Sequence, residues 1–182
     1  MPRVTGPDGQ ATQVIKSRRE KARIREGWIH LGVNVVILLL VMVVLLSFVF
    51  CVFRVSGNDM YPALQDGDLV VAWRLDRSFK QDDVVVFKAD GKTRVGRVVA
   101  REGDVVDMPG SGSVTVNGTP ENDILYETDA GDSISYPYVV PEGEVFILGD
   151  FRTQATDSRE FGAVPVSDVE GTAIGMFRRR EF

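Results

Sequence analysis

Val55-Ser56-Gly57-Asn58-Asp59-Met60-Tyr61-Pro62-Ala63-Leu64 divides the chain into two textures. Behind it, no charged residue occurs from Trp28 to Phe53, and the run from Val33 to Leu46 is apolar except for Asn34. A helix of roughly 20 such residues spans the ~30 Å hydrocarbon core of a bilayer. Ahead of it, short apolar runs are separated by turn signals, the pattern of β-strands. The run from Asp68 to Trp73 follows an Asp66-Gly67 turn, and Asp83 to Phe87 ends before Asp90-Gly91. Both read as buried strands. Arg94 to Ala100 alternates polar or small residues with Val, and Gly103 to Met108 begins another strand. Pro109 to Ser113 reads as a loop. From Ser113 to Thr119, Asn117-Gly118 after alternating Val is a hairpin signal. Tyr138 to Val140 and Glu144 to Leu148 flank a Pro141-Glu142-Gly143 turn. The fold expected is mainly β: a single N-terminal transmembrane helix, then an antiparallel β-sheet domain whose sheets must close or pack to hide their edges.

Three segments follow: a cytoplasmic basic tail over 1–27, a transmembrane helix over 28–53, and an extracytoplasmic β domain over 54–182. The apolar run exceeds the roughly 7 to 15 residues of a secretory signal, and Phe48-Val49-Phe50-Cys51-Val52-Phe53 is too bulky for a small-residue cleavage site. It therefore reads as an uncleaved anchor. In the tail, seven basic residues (Arg3, Lys16, Arg18, Arg19, Lys21, Arg23, Arg25) face three acidic ones (Asp8, Glu20, Glu26). The positive-inside bias places that end in the cytoplasm and the β domain outside the cell membrane, as a single-pass type II protein. The tail's +4 within a formal −5 leaves −9 for the remainder, which argues against nucleic acid as a partner. Met1 to Gln13 is expected to be a flexible tail, and Lys16 to Glu26 a basic helix against anionic lipid. Cys51 is the only cysteine, so no intramolecular disulfide forms, and it reads as a small apolar membrane residue. His30 reads as an interfacial residue near the inner end of the anchor. One His and one Cys so placed assemble no metal site, and no cofactor is expected.

Four ordered segments resemble type I signal peptidases, serine endopeptidases of the S26 clan. Val55 to Leu64 resembles the family's G-x-S-M-x-P-T-L box, and Asp66-Gly67-Asp68-Leu69-Val70-Val71 its G-D strand start. Arg97 to Asp104 resembles its K-R-V-I-G-L-P-G-D box, entered at the Arg. The run Gly149-Asp150-Phe151-Arg152-Thr153-Gln154-Ala155-Thr156-Asp157-Ser158-Arg159-Glu160-Phe161-Gly162 resembles G-D-N-R-x-x-S-x-D-S-R-x-x-G, the most specific of the four. The resemblance runs from Trp28 to the C-terminus and implies a β domain of the signal peptidase I type.

What the resemblance implies for chemistry is less complete. It puts Asp59 at the nucleophilic serine, Gly96 at the lysine that accepts the serine's proton, and Ala155 at the serine that supports that lysine. No catalytic residue is therefore expected. Ser56, Gly57, Asn58, Met60, Tyr61 and Pro62 on one side, and Asp150, Arg152, Asp157, Ser158 and Arg159 on the other, are expected to frame a peptide cleft. Gly149 and Gly162 belong to the second side. Met60, Tyr61 and Pro62 would shape the rim toward the membrane surface, and Asp157 would pair with Arg159 to hold a loop.

Other roles for Asp59 have specific requirements. Nucleophilic attack on an amide needs an acid for the leaving amine, which Gly96 does not supply. An aspartic-protease dyad needs a second carboxyl, from Asp150 or Asp157. A plug held ionised by the former oxyanion donors would have a depressed pKa. Ser56 and Ser158 read as loop or capping hydroxyls, and Lys88 and Lys92 as exposed charges of the hairpin around Asp90-Gly91.

The resemblance extends to degenerate family members that assist pilin polymerisation beside sortase in Gram-positive bacteria, so a non-catalytic accessory factor in pilus assembly is the leading expectation. Its rivals are an active signal peptidase with altered catalytic groups that processes preproteins, and a regulator that binds signal peptides without cutting them. The partners expected are the membrane, with pilin subunits and sortase, or the signal peptides of preproteins. Strand addition to the cleft is the binding mode considered.

Overall fold

The computed structural model describes residues 7–109, 112–121, 128–131 and 133–178, with backbone alone over 7–26. The chain forms two compact units, Met1–Leu46 and Ser47–Phe182. The first is built on helix α1, Pro7–Val49, in which Gly27–Val49 is apolar and long enough, at 23 residues, to cross a membrane. The tail expected to be flexible through Gln13 is instead helical from Pro7. Proline is tolerated in a first helical turn, where its missing N–H has no intrahelical acceptor, and no further proline interrupts the run to Val49.

The anchor also ends earlier than its composition suggests. Phe50–Arg54 is a strand, β1, so the apolar span stops at Val49 rather than Phe53 and the β domain begins at Phe50. The aromatic and β-branched residues of β1 pair antiparallel with β2, Leu69–Trp73, in the register Phe50↔Trp73 to Arg54↔Leu69. Phe50 and Trp73 meet edge to face at 5.1 Å between ring centroids, a geometry that adds to their burial. Cys51 thus lies opposite Ala72 and packs on the domain core, where burial pushes its thiol pKa up. It belongs to β1 and not to the apolar helix.

The remaining elements of the second unit are β3 (Val84–Ala89), β4 (Lys92–Arg101), β5 (Val105–Asp107), β6 (Thr115–Val116), β7 (Thr119–Pro120), β8 (Tyr138–Val139), β9 (Glu144–Leu148), a short helix α2 (Ser158–Phe161), β10 (Val164–Pro165) and β11 (Val169–Phe177). Seven strands form an antiparallel sheet in the order β1-β2-β11-β3-β4-β9-β10, and four form a second in the order β7-β6-β5-β8. The domain is therefore mainly β and antiparallel, as the turn-punctuated apolar runs imply. Asn117 and Gly118 both have positive φ and join β6 to β7, the two-residue hairpin that their sequence signals. Of the loop expected over Pro109 to Ser113, Gly110 and Ser111 lie outside the described residues.

The sheets hide their faces by packing. Val99, Ala100, Phe146 and Leu148 of the large sheet meet Val106 and Val116 of the smaller sheet, and Met108, Val114 and Val140 flanking it, in one core cluster. On β3, Val85 and Phe87 face one cluster and Val86 another, so the strand is buried on both faces and reads as an unbroken apolar run. Pro141-Glu142-Gly143 joins β8 of one sheet to β9 of the other, so the turn is a crossover between sheets.

Candidate functional site

Two loops build the site, and each is held by bonds that its sequence supplies. The first runs from Val55 to Asp68 and closes on itself: Val55 N donates to Asp68 O at 2.8 Å, and Gly67 N to Val55 O at 2.9 Å. Asp66 Oδ1 accepts from Gly57 N at 2.9 Å, and Asp68 Oδ2 from Gln65 N at 3.0 Å. Met60 anchors the loop from beneath, 1% exposed among Val55, Leu64, Val70, Val86 and Val95. Met60 is thus a core residue and not part of the rim. Tyr61 and Pro62 do face outward, as do Ser56, Gly57 and Asn58.

The second loop runs from Gly149 to Gly162, and Arg152, Asp157 and Arg159 are turned inward while Glu160 stays exposed. Asp157 caps α2, accepting from Arg159 N, and its carboxylate also takes Gly149 N at 3.0 Å. The Arg159 guanidinium grips the same carboxylate at 2.8 and 2.9 Å, confirming the ion pair expected there, and reaches the carbonyls of Asp129 and Ala155. Arg152 is buried and forks onto Glu121 at 2.7 and 3.0 Å while donating to Gly149 O at 2.8 Å. Asp150 receives both prongs of Arg97 at 2.8 Å. Ser158 Oγ, fully buried, accepts from Ile147 N at 3.0 Å, so it is a structural hydroxyl. With both acids committed to arginines, neither Asp150 nor Asp157 is available as the second carboxyl of an aspartic dyad.

The loops touch at Asp59. Phe151 N donates to Asp59 O at 2.9 Å, and Tyr61 and Phe151 pack with ring centroids 5.9 Å apart. A Cβ on Gly149 would fall 2.3 Å from Ala155 Cβ and 2.6 Å from Asp59 O, so only glycine allows these backbones to approach. Ala155, at the supporting-serine position, is part of this contact and buried. Gly96 lies on β4 beneath the same region. A Cβ there would meet Ile147 Cγ2 at 2.5 Å, Phe87 Cε1 at 3.2 Å and Leu148 O at 3.3 Å, so the space a lysine stem would leave by is filled by core side chains.

The Asp59 carboxylate faces Arg94, with Arg94 Nη1 3.6 Å from Asp59 Oδ2. That contact is too long for a charge-assisted hydrogen bond. Burial pushes the Asp59 carboxyl pKa up; Arg94 opposes the shift, and the nearby Asp157 and Glu160 charges add to it. The ionised plug with a depressed pKa is therefore not what forms: no backbone N–H reaches the Asp59 carboxylate among the described residues, and desolvation wins. Beside this pair is a cavity of about 340 Å³ lined by Phe53, Val55, Ser56, Asp59, Met60 and the β4 residues Lys92 to Val95. Lys88 is exposed and paired with Glu170 at 2.8 Å, as a hairpin charge should be, whereas Lys92 also borders the cavity.

Arg94 and Glu121 are the site residues that motif reading passes over; Arg97 enters it only as the start of a box, and Lys92 only as a hairpin charge. Arg94 was within reach of a simpler rule, because residues two apart on a strand share a face and Arg94 stands two before Gly96. Glu121 lies in a segment without periodicity, and nothing local marks it. Among the described residues, no group of three or more His, Cys, Asp or Glu is placed to hold a metal ion.

This arrangement has relatives. Thylakoidal processing peptidase 1 of Arabidopsis thaliana is 32% identical over 140 residues, covering 66% of this chain and 39% of that protein. A second thylakoidal processing peptidase of the same plant is covered over 36% of its length, so the chain spans well under half of these two relatives. Signal peptidase I of Bacillus licheniformis is 27% identical over 174 residues, covering 87% of this chain and 93% of that one. A solved signal peptidase I of Enterococcus faecalis V583 is 25% identical and covers 52% of this chain and 96% of that structure, with a TM-score of 0.46. The family profile described as signal peptidase, peptidase S26, matches residues 28–177, which takes in the apolar span, both sheets and the two loops that meet at Asp59. The chain belongs to the signal peptidase family, peptidase S26.

Proposed function

We propose that this protein is a membrane-anchored, signal-peptidase-like factor that binds segments of exported proteins without cutting them. One observation carries the reading: the position of the family's nucleophile holds a carboxylate facing Arg94, while the position of its base is a glycine whose Cβ direction is blocked by Ile147. Peptide cleavage by the family's route needs an alkoxide-forming hydroxyl and a base within ~3 Å of its proton. Asp59 and Gly96 supply neither at those positions. The loops on either side are nevertheless held by their own hydrogen bonds and ion pairs, so a shaped surface persists without its chemistry.

The basic tail ahead of Gly27–Val49 supports a type II orientation, N-terminus in the cytoplasm and β domain outside. In that setting the accessible partners are signal peptides and preproteins at the membrane, and pilin subunits with their sortase, the pairing carried by the resemblance to degenerate members. Site-specific photo-cross-linking from Tyr61 in the full-length protein in membranes tests the reading. The expected outcome is capture of exported precursors or pilin subunits at full, uncut length. Capture of neither, or recovery of cut products alone, would overturn it.

A further inference from the structure

We propose that the cavity beside Asp59 is a receptor for the C-terminal carboxylate of a peptide, with Arg94 as its anchoring cation; this goes beyond the capture of uncut precursors proposed above, since a free chain terminus is a separate ligand. Among the described residues, five arginines of this domain sit within 4 Å of an acid; three hold it with two prongs, and Arg178 meets Asp68 at 3.4 Å and the Ala63 carbonyl at 3.0 Å. Arg97, Arg152 and Arg159 each grip a carboxylate with two prongs at 2.7–3.0 Å. Arg94 is different. Its side chain is 16% exposed, its Nε is buried with no hydrogen-bond partner, and its nearest acid is the loose Asp59 contact at 3.6 Å.

A guanidinium fork is shaped for a carboxylate, and buried donors left unmet cost stability that a ligand can recover. Asp59 does not fill this role, since it stays beyond hydrogen-bonding distance and its own carboxylate receives no donor among the described residues. Counting Lys92 and Arg94 against Asp59, the cavity lining carries a net positive charge, so a singly negative guest is favoured. The floor of Phe53, Val55 and Met60 is apolar, and about 340 Å³ accommodates a small residue with its terminal carboxylate. A carboxylate entering here competes with Asp59 for Arg94.

That competition gives the test its signs. The full-length protein in detergent micelles is titrated calorimetrically with acetyl-Ala-Val-Ala as the free acid, the same peptide as its C-terminal amide, and acetyl-Ala-Glu-Ala amide. The free acid is expected to bind roughly tenfold or more tighter than the amide, as a charge-assisted fork should discriminate. Arg94→Gln should abolish that preference, Lys92→Gln should weaken it a few-fold, and Asp59→Asn should strengthen acid binding by freeing Arg94. Lys92→Gln, at an exposed position, keeps the test open if Arg94→Gln fails to fold. Equal binding of acid and amide, or weaker acid binding by Asp59→Asn, would overturn the proposal. Equal binding of the Glu-amide peptide would overturn its commitment to a chain terminus. Uncut precursors bring no free carboxylate to this cavity, so loss of acid preference with precursor capture intact sinks this inference alone. The reverse pattern sinks the capture reading alone.

Discussion

At the residue scale, the site is defined by which arginines are satisfied. Asp150, Asp157 and Glu121 each end in a two-pronged grip, and their partners hold the Gly149–Gly162 loop to β4 and to the edge of the smaller sheet. Among the described residues, the Asp59 carboxylate has only the distant Arg94. Its carboxyl pKa is raised by burial, so its ionised form is worse off in the folded chain than in the unfolded one. For an acid of this kind, the stability it contributes is present below the unfolded value and is lost as pH rises through the folded value. Asp59→Asn should therefore raise the thermal midpoint of the full-length protein near neutral pH, with the gain fading as pH falls below the ordinary carboxylate range of about 4. Melting curves at the two pH values check this, and a variant less stable than the parent near neutrality would contradict it. The identities of Asp59, Gly96 and Ala155 were legible from ordered motifs. Strand periodicity could place Arg94 on the Gly96 face of β4, but its pairing with Asp59 was not legible, because it joins a loop to a strand 35 positions on, a proximity that only the tertiary fold creates.

At the element scale, the decisive feature is β1. Its residues Phe50-Cys51-Val52-Phe53 continue the uncharged run of the anchor, and composition alone places them in it. Pairing with β2 overrides that reading: the backbone groups of Phe50–Arg54 find ladder partners, and Cys51 and Phe53 pack against the cluster that holds Met60. The apolar helical segment and the first strand are therefore contiguous in sequence and chemically similar, which is why periodicity does not separate them. A soluble domain should consequently begin at Phe50. A chain starting at Val55 loses the strand beside β2 and the burial of Phe53, a loss of about 2–4 kcal/mol at ordinary burial energies. Urea unfolding of the two chains measures the difference; equal midpoints would show that β1 contributes nothing to the domain. The interior strands were easier to read. β2, β3 and β4 announce themselves as Val-rich runs between Asp-Gly turns, whereas β11 inserts between β2 and β3 with bulged registers and has no such frame in the sequence.

At the scale of the whole molecule, an apolar helix of membrane-spanning length is joined to an acidic, two-sheet antiparallel domain of the signal peptidase family. Family and architecture were both visible in the sequence, since four boxes in order fix the loops and the turn-punctuated runs fix the strands. The fate of the activity depends on how those loops are filled. Gly96 is not an empty seat awaiting a lysine, because Ile147 and Phe87 occupy the space around its Cβ direction. The relatives named as signal peptidases make cleavage the property to be tested. The direct measurement is cleavage of a purified preprotein by the full-length protein in liposomes, beside its Asp59→Ala variant. The preprotein is expected to stay intact with both proteins. Cleavage at the signal-peptide junction that disappears in Asp59→Ala would contradict it.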